Sequence, residues 1–199
     1  MTDPRKSHDA FNLSCRKIRM LLFDCDGVMT DGHVVLGNNG LELKAFAAAD
    51  GIGLKMWKKS GLLAGCITGR ASQGLERRAG ELKFDELHQG VTRKGDVLAE
   101  IMQKHGLARE EVAYIGDDLN DLSVGTRVGL FFVPANHHPS VRPYADYVLS
   151  TCGGSGAVRE AIDLILDRKG LIDGLIEGFI NQGCARVGAS GALKAYEEA

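Results

Sequence analysis

Short strand-like runs alternate with longer amphipathic segments along most of this 199-residue chain. The short runs have the length of buried strands and lie at 21–23, 62–67, 86–89 and 112–115. Helical periodicity covers 51–60, 72–83, 156–168 and 171–182. Because helices that alternate with strands serve as crossovers between parallel neighbours, the pattern predicts an α/β fold. Its sheet should be mostly parallel, with helices on both faces.

Residues 33–46 interrupt this alternation. The extended runs HVVL and LELKAF flank the sequence Gly-Asn-Asn-Gly, which predicts a β-hairpin soon after the strand at 21–23. The hairpin is either an ordinary surface element or a flap beside a functional site. The apolar side chains of Val35 and Leu36 favour a flap, because they would need cover.

Two carboxylates, separated by one residue, end the strand at 21–23. In the sequence LLFDCDGVMTDG, Asp24 and Asp26 lie at the carboxyl end of the strand, where open α/β sheets bind ligands. Residues two apart on an extended chain share a face, and Gly27 would allow a sharp turn that brings backbone amides close to an anion. The pattern predicts a site for a metal and a phosphate, although the same residues also suit a plain turn.

Polar residues follow three further runs in the same way. They are Thr68, Gly69 and Arg70 after 62–67, Lys94 after 86–89, and Asp117, Asp118 and Asp121 after 112–115. Taken singly, the threonine suits a helix cap, the lysine a solvated charge and the aspartates an acidic first helical turn. Taken together, in the order acid pair, hydroxyl, amine and acid cluster, they favour a phosphate site with a divalent cation.

In this order the motifs resemble those of the haloacid dehalogenase superfamily, whose phosphatases have a Rossmann-like sheet. The resemblance includes GNNGLELKAF, DGIG, ITGR, HQG, VAYIGDDLND and GGSGAVRE, and it covers roughly residues 17–170. These segments resemble those of a subfamily that hydrolyses the phosphate esters of eight- and nine-carbon sugar acids. The implied division is an N-terminal extension at 1–16, a phosphatase domain at 17–170, and a C-terminal helix and tail at 171–199.

The chemistry of phosphate-ester cleavage suggests roles for the acidic residues. A carboxylate attacks an anionic ester only where a cation and several donors neutralise the ester oxygens. Asp24 is the candidate nucleophile and Asp26 the candidate acid and base. The candidate ligands of Mg²⁺ are a carboxylate oxygen of Asp24, the backbone carbonyl of Asp26, and Asp117. Asp118 and Asp121 are expected to orient the metal's waters or the lysine.

The remaining candidates contact the phosphate or the rest of the substrate. Thr68 and Lys94 are expected to hold the phosphoryl group, with Gly69 and Arg70 as further substrate contacts. The prediction is a Mg²⁺-dependent phosphatase for an eight-carbon 2-keto-sugar acid 8-phosphate, with a nonulosonate 9-phosphate as the alternative substrate. A non-enzymatic phosphate-receiver module is disfavoured, because such a module lacks an acid two residues after the phosphorylated aspartate.

The spacing of the motifs leaves no room for a cap domain. Only 43 residues separate Asp24 from Thr68, and only 25 separate Thr68 from Lys94, whereas domains rarely fall below about 50 residues. The site of a single subunit should therefore be open. The resemblance implies a homotetramer in which the hairpins pack together and a neighbour covers the site.

The C-terminal third offers one further candidate. The segment GGSGAVRE leads into a predicted helix, and Arg159 is either a substrate or interface contact or a partner of Glu160 or Asp163. The family often has a basic residue, which contacts the substrate of a neighbouring subunit, where Ser155 stands here. Residues 171–182 suit an amphipathic helix, followed by a Gly- and Ala-rich tail that is expected to be mobile.

Composition excludes several other classes of function. A net charge of −2 gives no electrostatic basis for binding nucleic acid. No apolar span has the length of a membrane helix, and the polar start MTDPRKSHDA lacks the core of a signal peptide. The five cysteines have no metal-ligand spacing, which suggests reduced thiols in the cytoplasm. The expected partners are a sugar-acid phosphate and further copies of the chain, with neither nucleic acid nor membrane.

Overall fold

The computed structural model describes residues 8–182. Eight strands occur in these residues: β1 (Met20–Phe23), β2 (Val35–Leu36), β3 (Glu42–Leu43), β4 (Leu63–Ile67), β5 (Glu86–His88), β6 (Val112–Ile115), β7 (Leu130–Val133) and β8 (Tyr147–Val148). Six of them form one parallel sheet in the order β5-β4-β1-β6-β7-β8. The strands β2 and β3 form a separate antiparallel hairpin.

Seven helices surround the sheet and connect its strands. They are α1 (His8–Lys17), α2 (Ala48–Lys59), α3 (Gln73–Leu82), α4 (Lys94–His105), α5 (Leu122–Gly125), α6 (Ala157–Arg168) and α7 (Ile172–Gln182). Helices α1, α2, α3, α6 and α7 contribute buried side chains to one face of the sheet, and α4 and α5 to the other. In the strands the side chains alternate, so that Leu21 and Phe23 point to the first face and Met20 and Leu22 to the second.

The predicted α/β class with helices on both faces is confirmed. Between Asp24 and Thr68 the chain forms a tight loop, the hairpin β2–β3, α2 and β4, so the prediction of no cap domain also holds. Helix α1 lies mainly in the segment assigned to an N-terminal extension, yet Phe11 and Cys15 belong to the core. No helix within residues 8–182 is both long and apolar enough to cross a bilayer.

Four apolar side chains of the hairpin are exposed. Val35 pairs with Leu43 across the two strands. Val35 exposes 51% and Leu36 71% of their surface, and Leu41 and Leu43 expose 56% and 54%. These four side chains remain uncovered within the described part of one subunit, and they include Val35 and Leu36, for which cover is expected.

The loop that carries Asp24 and Asp26 packs against a second loop, which contains Gly153 and Gly154. Gly154 N donates to Val28 O at 3.0 Å. A Cβ atom on Gly153 would lie 1.9 Å from the carbonyl oxygen of Gly27. The backbones approach so closely that a side chain does not fit between them, and glycine is required at 153 for that reason.

Helix α6 fixes the position of this second loop, and an aspartate from another helix caps α6. Asp50 lies in the first turn of α2 and is only 1% exposed. Its Oδ1 accepts a hydrogen bond of 2.8 Å from the backbone N–H of Arg159, which is one of the free amides at the N-terminus of α6. Helices α2 and α6 are thus joined at the point where the second loop ends and α6 begins.

We predict that Gly153→Ala destabilises the protein, because the added methyl group must displace the backbone of the loop that carries Asp24. Overpacking of this kind costs about 1–3 kcal/mol. Urea unfolding measures the loss. The matched control is Gly80→Ala on α3, where a Cβ would meet nothing within 4 Å and where alanine stabilises a helix by up to about 1 kcal/mol. Wild-type stability in Gly153→Ala would contradict the packing described here.

Candidate active site

The carboxyl ends of three neighbouring strands bring the predicted residues together. Asp24 follows β1, Thr68 follows β4, and Asp117 lies two residues after β6. Because β1 lies between β4 and β6, these residues meet where the strand order reverses, which is the usual ligand position in such sheets. A cavity of about 420 Å³ opens there, lined by Asp24, Asp26, Gly32, Thr68, Gly69, Arg70, Asp117, Asp118, Leu119 and Asn120.

Lys94 enters the floor of the site from the first residue of α4. Its side chain is 2% exposed, and its Nζ lies 2.8 Å from Asp24 Oδ2 and 2.8 Å from Asp121 Oδ1. Burial alone would lower the pKa of this ammonium, but the charges of Asp121 and Asp24 hold the pKa above its ordinary value. Lys94 is therefore a fixed positive charge between two carboxylates.

Asp121 is completely buried, and both of its oxygens are used in hydrogen bonds. Its Oδ1 accepts from the hydroxyl of Tyr114 at 2.6 Å as well as from Lys94. Its Oδ2 accepts from the backbone N–H groups of Asp117 at 2.9 Å and Asp118 at 3.3 Å. Asp121 thus connects the lysine to the loop after β6. These contacts fit the orienting role predicted for it.

Two carboxyls at the site have raised pKa values in the absence of a metal ion. Burial, followed by the charge of Asp121, raises the pKa of Asp24 to about 6, against the lowering effect of Lys94. Burial, followed by the charges of Asp121 and Asp24, raises the pKa of Asp117 to about 7. Carboxyls crowded in this way favour a divalent cation, which would stabilise their ionised forms.

The donor atoms of the site fit such a cation. Asp24, Asp117 and Asp121 offer carboxylate oxygens that all lie within 4.8 Å of one another. Asp117 Oδ1 is buried and has no hydrogen-bond partner among the described residues. A Cβ on Gly27, where φ is +88°, would lie 2.0 Å from Asp117 Oδ2, so glycine makes room for this carboxylate. Since Asp121 already accepts four hydrogen bonds, Asp24 and Asp117 are the better ligands.

The hairpin adds residues to which the sequence analysis gave no role. Lys44 Nζ contacts Asp26 Oδ1, and Glu42 Oε2 accepts from the Arg70 guanidinium at 2.9 Å. Arg70 Nε lies 3.8 Å from Asp26 Oδ2. Alternation in LELKAF puts Glu42 and Lys44 on one face, and this signal would have indicated that the hairpin presents charge to the site.

The other predicted residues differ in how firmly they are held. Thr68 is 2% exposed, and its backbone N–H donates to His88 O at 2.9 Å while its carbonyl accepts from Val91 N at 3.0 Å. Gly69 is exposed at the mouth of the cavity. Asp118 is exposed too, and its side chain accepts from Leu119 N at 2.6 Å. The orienting role expected of Asp118 stays a prediction.

Arg159 lies outside the cavity that contains Asp24. Its Nε donates to both carboxylate oxygens of Asp163, at 2.8 and 2.7 Å, which is one of the two ion pairs expected for it. Arg159 and Ser155 line a different depression of about 500 Å³ beside α6. A substrate contact for Arg159 therefore stays a prediction that requires another subunit. The predicted tail after residue 182 lies outside the described residues.

Comparison with known proteins gives consistent matches. Residues 57–162 match the family model of the haloacid dehalogenase-like hydrolases. The chain is 44% identical to the 3-deoxy-D-manno-octulosonate 8-phosphate phosphatase KdsC of Escherichia coli strain K12 over 156 residues, which are 78% of this chain and 83% of that protein.

Solved structures of similar proteins have the same fold. The crystal structure of 3-deoxy-D-manno-octulosonate 8-phosphate phosphatase from Yersinia pestis is similar with a TM-score of 0.82 and 42% identity, covering 83% of this chain and 90% of that one. The phosphatase of the same name from Moraxella catarrhalis, in complex with magnesium, phosphate and KDO, has a TM-score of 0.85 and 35% identity. It covers 87% of this chain and 99% of that one.

Proposed function

Because this chain belongs to the haloacid dehalogenase-like hydrolases, we propose that it is a Mg²⁺-dependent phosphatase that hydrolyses 3-deoxy-D-manno-octulosonate 8-phosphate to the free sugar acid and phosphate. The observation that carries the proposal is the pair Asp24 and Asp117 beside the buried Lys94 at the ends of adjacent parallel strands. Proteins at 44% identity are phosphatases for this sugar acid, and a similar structure holds magnesium, phosphate and KDO.

In this proposal Asp24 attacks phosphorus and forms an aspartyl phosphate. Its two oxygens are held in place, Oδ1 by the N–H of Cys25 at 2.7 Å and Oδ2 by Lys94. A carboxylate fixed in this way needs little reorganisation before in-line attack. Lys94 and Thr68 neutralise and bind the phosphoryl oxygens, and the amide of Gly69 and the guanidinium of Arg70 lie at the cavity wall beside them.

Asp26 moves the proton in both half-reactions. It donates a proton to the bridging oxygen as the bond from phosphorus to the sugar oxygen breaks. It then removes a proton from the water that attacks the aspartyl phosphate, which releases phosphate and restores Asp24. Its place two residues beyond Asp24 puts it on the cavity wall, and this residue distinguishes a hydrolase from a phosphate-receiver module.

The residues that would hold the metal are Asp24, Asp26 through its backbone carbonyl, and Asp117. Asp121 holds the Lys94 ammonium and the backbone N–H of Asp117 by hydrogen bonds, and Asp118 would orient the waters of a bound ion. Mg²⁺ in this position would neutralise charge on the phosphoryl group and allow two anions to approach each other.

We predict that purified protein releases phosphate from 3-deoxy-D-manno-octulosonate 8-phosphate with at least about 10-fold higher kcat/KM than from a nonulosonate 9-phosphate or a hexose phosphate. Chelation should abolish turnover and Mg²⁺ should restore it. Ca²⁺ should bind without supporting catalysis, because its looser coordination misplaces the carboxylate and phosphorus. Phosphate release measures all three effects.

The control for this prediction is Asp24→Asn, which preserves size and removes the attacking charge. Its turnover should fall by at least about 10³-fold, since the nucleophile is lost. A urea unfolding curve like that of the wild type would show that the fold is intact. Equal and slow turnover of every ester by the wild type, or full activity in metal-free buffer, would argue against the proposal. A preference for the nine-carbon ester would move the substrate assignment to the alternative.

The proposal includes assembly through the hairpin and a cytoplasmic location. The exposed apolar side chains of Val35, Leu36, Leu41 and Leu43 support self-association, and the open site of one subunit would gain a cover in a homotetramer. The thiols of Cys25, Cys66 and Cys152, which form no disulfide within residues 8–182, support a reducing compartment.

We predict that Val35→Asp with Leu36→Lys yields monomers, because burying charge in an apolar contact is unfavourable. The monomers should remain folded and cleave a small phosphate ester, since the carboxylates and Lys94 belong to one subunit. They should lose at least about 10-fold in kcat/KM on the sugar acid, because its far end has no neighbour to contact. Sedimentation and kinetics on both esters measure these effects. A monomeric wild type, or undiminished sugar-acid turnover in the mutant monomer, would refute the assembly.

A further inference from the structure

In the hairpin segment 41–44, which contains β3, the apolar side chains are exposed and the charged side chains point inward. An ordinary surface hairpin has the opposite arrangement. Leu41 and Leu43 point outward and expose 56% and 54% of their surface. Glu42 and Lys44 alternate with them, and their side chains expose only 20% and 2%. A lysine is seldom buried to this degree unless its ammonium is paired. The charged face of the segment is therefore expected to contact a group that pairs with the Lys44 ammonium.

The partner of Lys44 is the carboxylate of Asp26. Lys44 Nζ contacts Asp26 Oδ1 and lies 3.4 Å from Glu42 Oε1. Arg70 binds the other oxygen of Glu42 at 2.9 Å and approaches Asp26 Oδ2 to 3.8 Å. Two cations and two anions thus form a closed ring, in which each carboxylate lies between Lys44 and Arg70.

The ring restricts a side chain that is otherwise loosely held. Asp26 lies in the tight loop after β1 with φ −79° and ψ 120°, so its carboxylate is not held by a helix. Its Oδ2 is buried and makes no hydrogen bond to any of the described residues, so Lys44 provides the direct hydrogen bond to this carboxylate. A carboxyl that transfers a proton must stay within a few tenths of an ångström of its productive position.

We propose that Lys44 is a positioning residue for Asp26, so that the hairpin takes part in proton transfer within its own subunit. The inference rests on the proposed function, because it assumes that Asp26 protonates the leaving group. It assigns two tasks to opposite faces of one strand. Leu41 and Leu43 face a neighbouring subunit, while Glu42 and Lys44 orient the acid of their own site.

The test compares two esters that differ in their need for an acid. An alkyl phosphate such as the sugar-acid ester requires protonation of its leaving oxygen, whereas 2,4-dinitrophenyl phosphate releases a stable phenolate without it. We expect Lys44→Met to lower kcat/KM on the alkyl ester by about 10- to 100-fold and on the aryl ester by less than about threefold. The quantity kcat/KM is chosen because it reports the steps up to phosphorylation of Asp24.

Three further variants separate positioning from other effects. Lys55→Met removes an exposed lysine from α2 and should leave kcat/KM unchanged on both esters. Lys44→Arg retains the cation and should recover part of the loss on the alkyl ester. In an Asp26→Asn background, Lys44→Met should cause no additional loss, because the group on which it acts is absent. If Lys44→Met fails to fold, the combination of Glu42→Gln with Lys44→Met removes one charge of each sign and gives the same comparison.

The outcomes distinguish this inference from the function on which it rests. A wild-type protein that hydrolyses neither ester would overturn the proposed function itself. If the wild type hydrolyses both esters, an equal loss on the two in Lys44→Met would mean that the lysine binds phosphate or supports the fold. No loss on either ester would mean that Asp26 is positioned without it. Each of these two results would overturn the role proposed for Lys44.

Discussion

The contact of the buried Lys94 ammonium with two carboxylates is the interaction on which the site depends. It joins Asp24, at the end of β1, to Asp121, in the loop after β6. Removing the ammonium would leave two buried carboxylates facing each other, and breaking a buried pair costs about 3–5 kcal/mol. The lysine therefore maintains the spacing at which a phosphate and a cation can bind between the loops.

Glycines allow the loops around this contact to approach one another. At Gly27 a side chain would collide with the carboxylate of Asp117, and at Gly153 it would collide with the carbonyl of Gly27. Gly116 similarly leaves space for Asp121, whose Cβ would lie 2.5 Å from an added methyl group. The charged side chains can lie close together at one edge of the sheet because glycine at these three positions leaves space for them.

The sequence predicted the elements around the site from local patterns, but it did not predict α1, α4 or β7. The strands that precede Asp24, Thr68 and Asp117, the hairpin and the absence of a cap follow from short patterns and spacing. Contacts between distant residues were missed. Lys44 is 18 positions from Asp26, and the cap formed by Asp50 is 109 positions from its partner amide. Nothing in the local sequence specifies such a partner, since the fold alone brings the two together.

Transfer of the phosphoryl group to Asp24 can be tested by mass spectrometry of the trapped protein. Asp26→Asn should slow hydrolysis of the intermediate, and 2,4-dinitrophenyl phosphate needs no acid to form it. Rapid acid quenching of this variant with Mg²⁺ and that ester should therefore trap one phosphoryl group. On this assignment of the nucleophile, the mass increase maps to Asp24 and disappears in the double variant with Asp24→Asn. Phosphate release without any phosphorylated Asp24, or a phosphoryl group mapped to another residue, would contradict it.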